Sequence, residues 1–273
     1  MSSLRTKGHV LVEVDLSTAE DRVVKMLTKD AKMRELARSK PWELDQHVFN
    51  AANLYAKAEK DVTKDDRTVI KRTGHACNYD MGPARMSEQW LKDSEGTMVR
   101  TPRECAYLQG LYIERCMPQL PEYHLGIRAA IMRHKCLSNP FGRILDLTHE
   151  RLDHDTFKRG YAFLPQSTVG MLVNRFGLVP VWKWLHDTEG RATGARICLQ
   201  LHDALYFSVP PKHSHTIASI VQQMLEQPVE YYGHSMTIPA CFSVSRRWNG
   251  KEKKEWKRLP SAKEMVGYAQ ALV

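Results

Sequence analysis

Two apolar arms meeting at an acid put the tightest constraint on how this chain folds. Residues 199–210 read Leu-Gln-Leu-His-Asp-Ala-Leu-Tyr-Phe-Ser-Val-Pro, apolar up to His202-Asp203 and apolar again directly after. That is the pattern of two short strands joined by a tight turn with a carboxylate at its tip. Pro210 ends the second arm because it cannot donate to a sheet ladder. By itself a turn aspartate commonly does no more than close an Asx-type turn. It gains chemical meaning when another strand brings a second acid to the same place, since a divalent cation needs at least two hard oxygen ligands.

Near the start of the chain, His9 to Asp15 is a β-branched run that reads as a buried central strand, and it too ends in an acid. A helix follows, with Ser17 or Thr18 as N-cap and Glu20 in its first turn. Strand, acid and capped helix together hold a carboxylate at the open edge of a sheet, although Asp15 could equally cap the helix. The 273 residues suffice for one large domain or two lobes. Forty Lys and Arg against thirty-one Asp and Glu give a formal charge of +9, which favours a polyanionic partner. Six cysteines show no zinc spacing and imply reduced thiols in a cytosol-like compartment. The opening Met-Ser-Ser-Leu-Arg-Thr-Lys lacks an apolar signal core, and no run approaches the length of a membrane span. The expectation is a soluble protein of a bacterial or phage-infected host cytoplasm, with no membrane partner.

The most specific stretch starts at Thr63-Lys64-Asp65-Asp66, a strong helix start. From it Arg67, Lys71, His75 and Tyr79 follow at intervals of four. In a helix that spacing puts two cations, an imidazole and a phenol on one slowly drifting stripe. A triphosphate fits the Arg67 and Lys71 end, with a base stacking near His75 and Tyr79. Gly74 on such a helix implies close approach by another group, and Gly82-Pro83 ends it. Upstream, Asp45-Gln46-His47 precedes an amphipathic run; alone, His47 reads as a cap or surface residue more readily than as a ligand.

These residues resemble DNA polymerase family A, the DNA polymerase I type. Asp15-Leu-Ser-Thr-Ala-Glu20-Asp-Arg22 is similar to the family's first metal-binding motif, and Leu201-His202-Asp203 to its second. Arg67, Lys71, His75 and Tyr79 at their spacing are similar to its nucleotide-binding fingers helix, with Asp45-x-His47 like its Asp-x-His. Asn139-Pro-Phe-Gly-Arg143 resembles the segment after the fingers, and Pro165-Gln166-Ser-Thr168 the start of the palm helix that contacts the primer-template. The six matches occur in the family's order.

The resemblance implies an α+β fold, an antiparallel-sheet palm with a largely helical fingers subdomain. Residues 1–25 would begin the palm, 26–140 would form the fingers with the nucleotide-binding helix at 63–81, and 141–273 would complete the palm. It implies template-directed DNA synthesis from dNTPs on a DNA primer-template. Asp15, Asp203 and the Leu16 carbonyl would hold two Mg²⁺ ions. His47, Arg67 and Lys71 would contact the phosphates, with Lys71 also protonating the leaving group. His75 lies where the family stacks an aromatic, and Tyr79 would pack on the nascent base pair. Glu20 would exclude the 2′-hydroxyl. Gln166 and His202 would hold the primer terminus and minor groove, with Arg143, Lys158 and Arg159 on the backbone. Asp80 and Ala204 depart from the family's Gly and Glu. Arg246 to Arg258, with seven Lys or Arg, two Glu, Trp248 and Trp256, tracks a DNA backbone or is a solvated basic stretch.

Because the family carries its thumb, and commonly an exonuclease domain, upstream of the first metal motif, a split polymerase of phage type completed by a second, thumb-bearing polypeptide is the expected arrangement. Two other readings are a non-catalytic nucleic-acid-binding subunit derived from a polymerase and a single-subunit RNA polymerase. Glu20 in the gate position weighs against the second.

Overall fold

The computed structural model describes residues 6–231, 233–248 and 250–273; residues 1–5 of the expected first palm segment and Asn249 of the basic run lie outside the described residues. Burial alternates along strand β1 (Val10–Leu16): Val10, Val12, Val14 and Leu16 are wholly inaccessible, whereas Glu13 and Asp15, on the opposite face, are half-buried. Period two is what a pleated strand imposes, so Glu13 and Asp15 share a face.

A helical stretch follows: α1 (Ala19–Leu27), α2 (Ala31–Arg38), α3 (Gln46–Tyr55), α4 (Lys64–Asn78), α5 (Pro83–Asp93), α6 (Pro102–Arg115) and α7 (Leu120–His134). Its starts are chemically marked. Asp45 caps α3, and Thr63 with Asp66, and Thr101 with Glu104, form capping boxes on α4 and α6. The chain continues through β2 (Cys136–Ser138), β3 (Ile144–Asp146), α8 (His154–Leu172), a π-helical segment (Val173–Leu178), α9 (Val179–His186) and α10 (Thr188–Ala192). It closes with β4 (Arg196–Leu201), β5 (Ala204–Val209), α11 (Ser214–Leu225), β6 (Val229–Tyr231), β7 (His234–Met236), β8 (Ala240–Ser245), β9 (Lys254–Trp256) and α12 (Ala262–Ala271).

The mixed helix and antiparallel sheet is the α+β class expected. One local expectation is corrected. Pro165 does not start a helix but lies inside α8, which runs from His154 to Leu172.

By packing, the chain falls into two compact units. One comprises residues up to Ala19, Val169–Glu230 and Ser235–Val273; the other comprises Glu20–Thr168 and Tyr231–His234. The first holds a five-stranded antiparallel sheet ordered β4-β5-β1-β8-β9. Helix α11 lies on β1 and β8, burying Ile217, Ala218, Val221 and Leu225, and α12 packs on α11 and β8. The second is a helical body around Trp90, Tyr112, Ile127, Ile131 and Tyr161, all within a single apolar cluster. Each side chain of this kind contributes about 1.5–3 kcal/mol of transfer free energy when fully buried. Among the described residues no helix is long and apolar enough to cross a membrane.

Candidate active site

Strands β4 and β5 pair with Leu201 opposite Ala204, which leaves His202 and Asp203 as the two turn residues. His202 takes the left-handed conformation, at φ 51°, that a two-residue hairpin turn needs. Asp15, near the end of β1, stands in register with Ala204, and the Leu16 N–H donates to the Asp203 carbonyl at 3.2 Å. Sheet register thus brings the two acids together, and their carboxyls share a hydrogen bond. Burial, followed by the charge of Asp203, pushes the Asp15 carboxyl well above the usual carboxylate range. Two carboxyls held in contact while their charges repel are a donor set that a divalent cation satisfies, so the pair fits such an ion. Among the described residues no group of three or more His, Cys, Asp or Glu is placed to hold a metal. Ala204 is buried at the start of β5 and adds no ligand.

Sequence reasoning missed Glu13. Its register neighbours across β5 and β8 are Tyr206 and Ser243. Both hydroxyls donate to its carboxylate, at 2.6 and 2.5 Å, and the Lys253 ammonium does so at 2.7 Å. Burial alone would raise this carboxyl; the bonds from Lys253, Ser243 and Tyr206 outweigh it and hold Glu13 below its ordinary value. The available signal was position, two residues before Asp15 on one strand face.

In the helical unit, Arg67 donates from Nε to Asp45 Oδ2 at 3.1 Å, and the same aspartate accepts the His47 and Val48 N–H groups at the start of α3. His47 is buried, and burial first, then the charges of Arg67 and Lys25, lower its pKa to about 4 against the opposing Asp21 and Asp45; the ring is neutral at pH 7. Lys71 and His75 are exposed on α4. The stripe ends differently from an ideal helix: Tyr79 is the C-cap of α4, and its ring meets His75 edge-on at 4.8 Å. The Tyr79 hydroxyl donates to Glu20, and Gln166 bonds the same phenol. Burial, followed by the Glu20 charge, raises the phenol pKa. Glu20, Tyr79 and Gln166 are therefore brought together, as are His47, Arg67 and Asp45. Gly74 is approached by Tyr112, whose hydroxyl would lie 2.7 Å from an added Cβ.

An ionic cluster underlies these groups. Lys25 is wholly buried and bridges Asp21 and Gln46, the latter at 2.7 Å; Asn78 near the end of α4 donates to Asp21 at 3.0 Å. Burial would raise Asp21, but the Lys25 ammonium outweighs it and keeps the carboxyl ionised. Arg22, also buried, donates to the carbonyls of Ala37 and Ser39. Asp80, at the position of the family's Gly, adopts φ 52° with Arg128 at 3.8 Å.

The remaining site residues are spread out. Arg143 is exposed in a turn organised by buried Asn139, whose Oδ1 accepts the N–H groups of Phe141 and Arg143 at 3.0 Å. Lys158 and Arg159 lie on α8, with Arg159 paired to Glu150 at 3.0 Å. His202 is exposed on the β4–β5 turn.

An antiparallel sheet that sets an acid at a hairpin tip beside an acid near a strand end, with a separately packed helical body, is an α+β protein of the class the resemblance implies. The chain belongs to DNA polymerase family A, whose model matches residues 3–250. It is 21% identical to DNA polymerase I of Helicobacter pylori over 248 residues, 89% of this chain and 25% of that protein. It is 23% identical to the DNA polymerase of Bacillus phage SP01 over 232 residues, covering 82% of this chain and 24% of the relative. With DNA polymerase I of Synechocystis it shares 23% over 269 residues, 92% of this chain and 25% of the other. The chain thus spans about a quarter of the length of these curated relatives. Its fold is similar to that of the POL domain of Pol1 from M. smegmatis in complex with DNA primer-template and dNTP, at TM-score 0.70 and 18% identity, over 89% of this chain and 41% of that one. Neither the described residues nor these relatives support the expected second, thumb-bearing polypeptide.

Proposed function

We propose that this chain performs template-directed DNA synthesis, adding dNTPs to a primer 3′-hydroxyl, with the sheet unit as palm and the helical unit as fingers. The observation that carries the reading is the meeting of Asp15 and Asp203, from near the end of β1 and the tip of the β4–β5 hairpin, in hydrogen-bond contact. Family membership, and a structural neighbour captured with primer-template and dNTP, support the substrate class.

Asp15 and Asp203, with the Leu16 carbonyl, would hold two Mg²⁺ ions. When bound, these supply charge neutralisation at the transferring phosphoryl group and lower the pKa of the attacking hydroxyl. The protein's own residues bind and orient. Lys71 and Arg67 take the triphosphate oxygens, and neutral His47 donates a hydrogen bond to them without adding charge. Lys71 is the proton source for the departing pyrophosphate. Glu20, fixed by the Tyr79 hydroxyl, occupies the space of a 2′-hydroxyl. Gln166 and His202 hold the primer terminus, and Arg143, Lys158 and Arg159 contact backbone phosphates. No observation favours a non-catalytic binding subunit.

Extension of a primed template with deoxynucleotides, with and without Mg²⁺, tests the reading. The wild-type chain should extend only with the metal, and Asp203→Ala should bind the primer-template without extending it. Extension by Asp203→Ala at the wild-type rate would overturn it.

A further inference from the structure

The family match ends at residue 250, so β9 and α12 lie beyond it, yet β9 completes the sheet as its fifth strand. The turn before β9 delivers Lys253 to Glu13, on the face of β1 that also carries Asp15. Two residues along a strand span about 7 Å, so this ammonium sits one side-chain row from the carboxylate pair.

Glu13 is itself immobilised by Tyr206 and Ser243, which fixes whatever it holds. Lys253 has three N–H donors; among the described residues two are used, on Glu13 at 2.7 Å and Glu255 at 2.8 Å. The surrounding segment from Arg246 to Arg258 carries seven Lys or Arg against two Glu, a net +5 (7 − 2). Trp248 lies against the Tyr206 ring at 4.6 Å and keeps 37% of its surface exposed, a partly open shelf beside the same strand. A fixed cation with a spare donor, in a basic field and next to an aromatic shelf, is suited to the phosphate of a nucleic-acid strand.

We propose that Lys253 contacts the phosphate nearest the 3′ end of the primer strand presented to Asp15 and Asp203, and that Glu13 is the residue that positions it. The inference rests on the polymerase reading above.

Fluorescence-anisotropy titration of a labelled primer-template over a range of salt concentrations tests it. Lys253→Met should weaken binding roughly fivefold and flatten the salt dependence by about one counterion, with Lys253→Arg restoring part of the loss. Lys254→Met should cost less, because that ammonium is taken up by Glu264 and the rings of Trp256 and Tyr268. Replacing the last internucleotide phosphate of the primer by an uncharged methylphosphonate should weaken the wild-type chain as much as Lys253→Met does, and should cost Lys253→Met nothing further. Glu13→Gln removes a negative charge and by charge alone would tighten binding; loss of position should weaken it instead. Additive losses from methylphosphonate and Lys253→Met, or tighter binding by Glu13→Gln, would overturn the proposal. A wild-type chain that binds no primer-template would overturn the polymerase reading and this one with it.

Discussion

Lys25 exposes none of its surface, yet it carries a charge, and its stability depends on Asp21 and Gln46. Removing one partner of a buried pair leaves the other uncompensated. Lys25→Met should therefore cost about 3–5 kcal/mol, read from urea unfolding, whereas Asp21→Leu in the same chain should recover most of it. In the sequence Asp21 and Lys25 are only an i,i+4 pair, spelled like any solvated one; their burial is decided by α3 and α4 folding over them. His47 makes a second residue-scale prediction. Its folded pKa of about 4 lies below the ordinary imidazole value of 6.5, so between those values the unfolded chain binds more protons than the folded one. The His47 contribution to stability, read as the difference between the wild-type chain and His47→Gln, should be flat above the upper value and fall by about 1 kcal/mol per pH unit as pH drops towards the lower one. His47→Gln should remove that slope from the unfolding midpoints. Glu20, hydrogen-bonded by Tyr79, should act as a steric gate. Glu20→Ala should raise ribonucleotide relative to deoxynucleotide incorporation roughly tenfold or more in single-turnover assays, and an unchanged ratio would remove the gate.

At the scale of elements, α4 shows what local spelling can and cannot carry. Its start was readable from Thr63 and Asp66, which form the reciprocal capping box, and Gly74 correctly signalled a close neighbour. That the neighbour is Tyr112 of α6 was not readable, because it is a contact between helices distant in sequence. Tyr112 is buried and cannot swing away, so Gly74→Ala should destabilise by about 1–3 kcal/mol despite Ala's better helix propensity. Tyr112→Phe in the same chain should relieve part of that loss, measured by thermal or urea unfolding. Helix α8 shows the reverse case. The family resemblance implied a helix start at Pro165, but neighbours such as Leu164 and Thr168 are buried and packing carries the helix through it. That two apolar runs each end in an acid was readable, but the register that sets Asp15 opposite Ala204 was not, because a slip of two residues would bury the same faces.

For the whole molecule, the sequence announced the class of fold and the family, and the order β4-β5-β1-β8-β9 explains why the two acids meet. Strand β1 is central, so its far end is buried on one face and bordered by the β4–β5 turn at its edge. The role of β9 was not visible, because Lys253 is one cation among seven in a basic run and only the sheet shows which of them reaches Glu13. Glu13 was likewise hidden, its partners coming from strands far along the chain. The central claim, that Asp15 and Asp203 act as one metal-holding unit in nucleotidyl transfer, is tested most directly by a double-mutant cycle. Single-turnover addition of one dNTP to a bound primer-template would be measured for Asp15→Asn, Asp203→Asn and the double variant. The account predicts that each single change lowers the rate roughly a thousandfold and that the double is no slower than either. Losses that multiply, or a single variant that retains the wild-type rate, would contradict it.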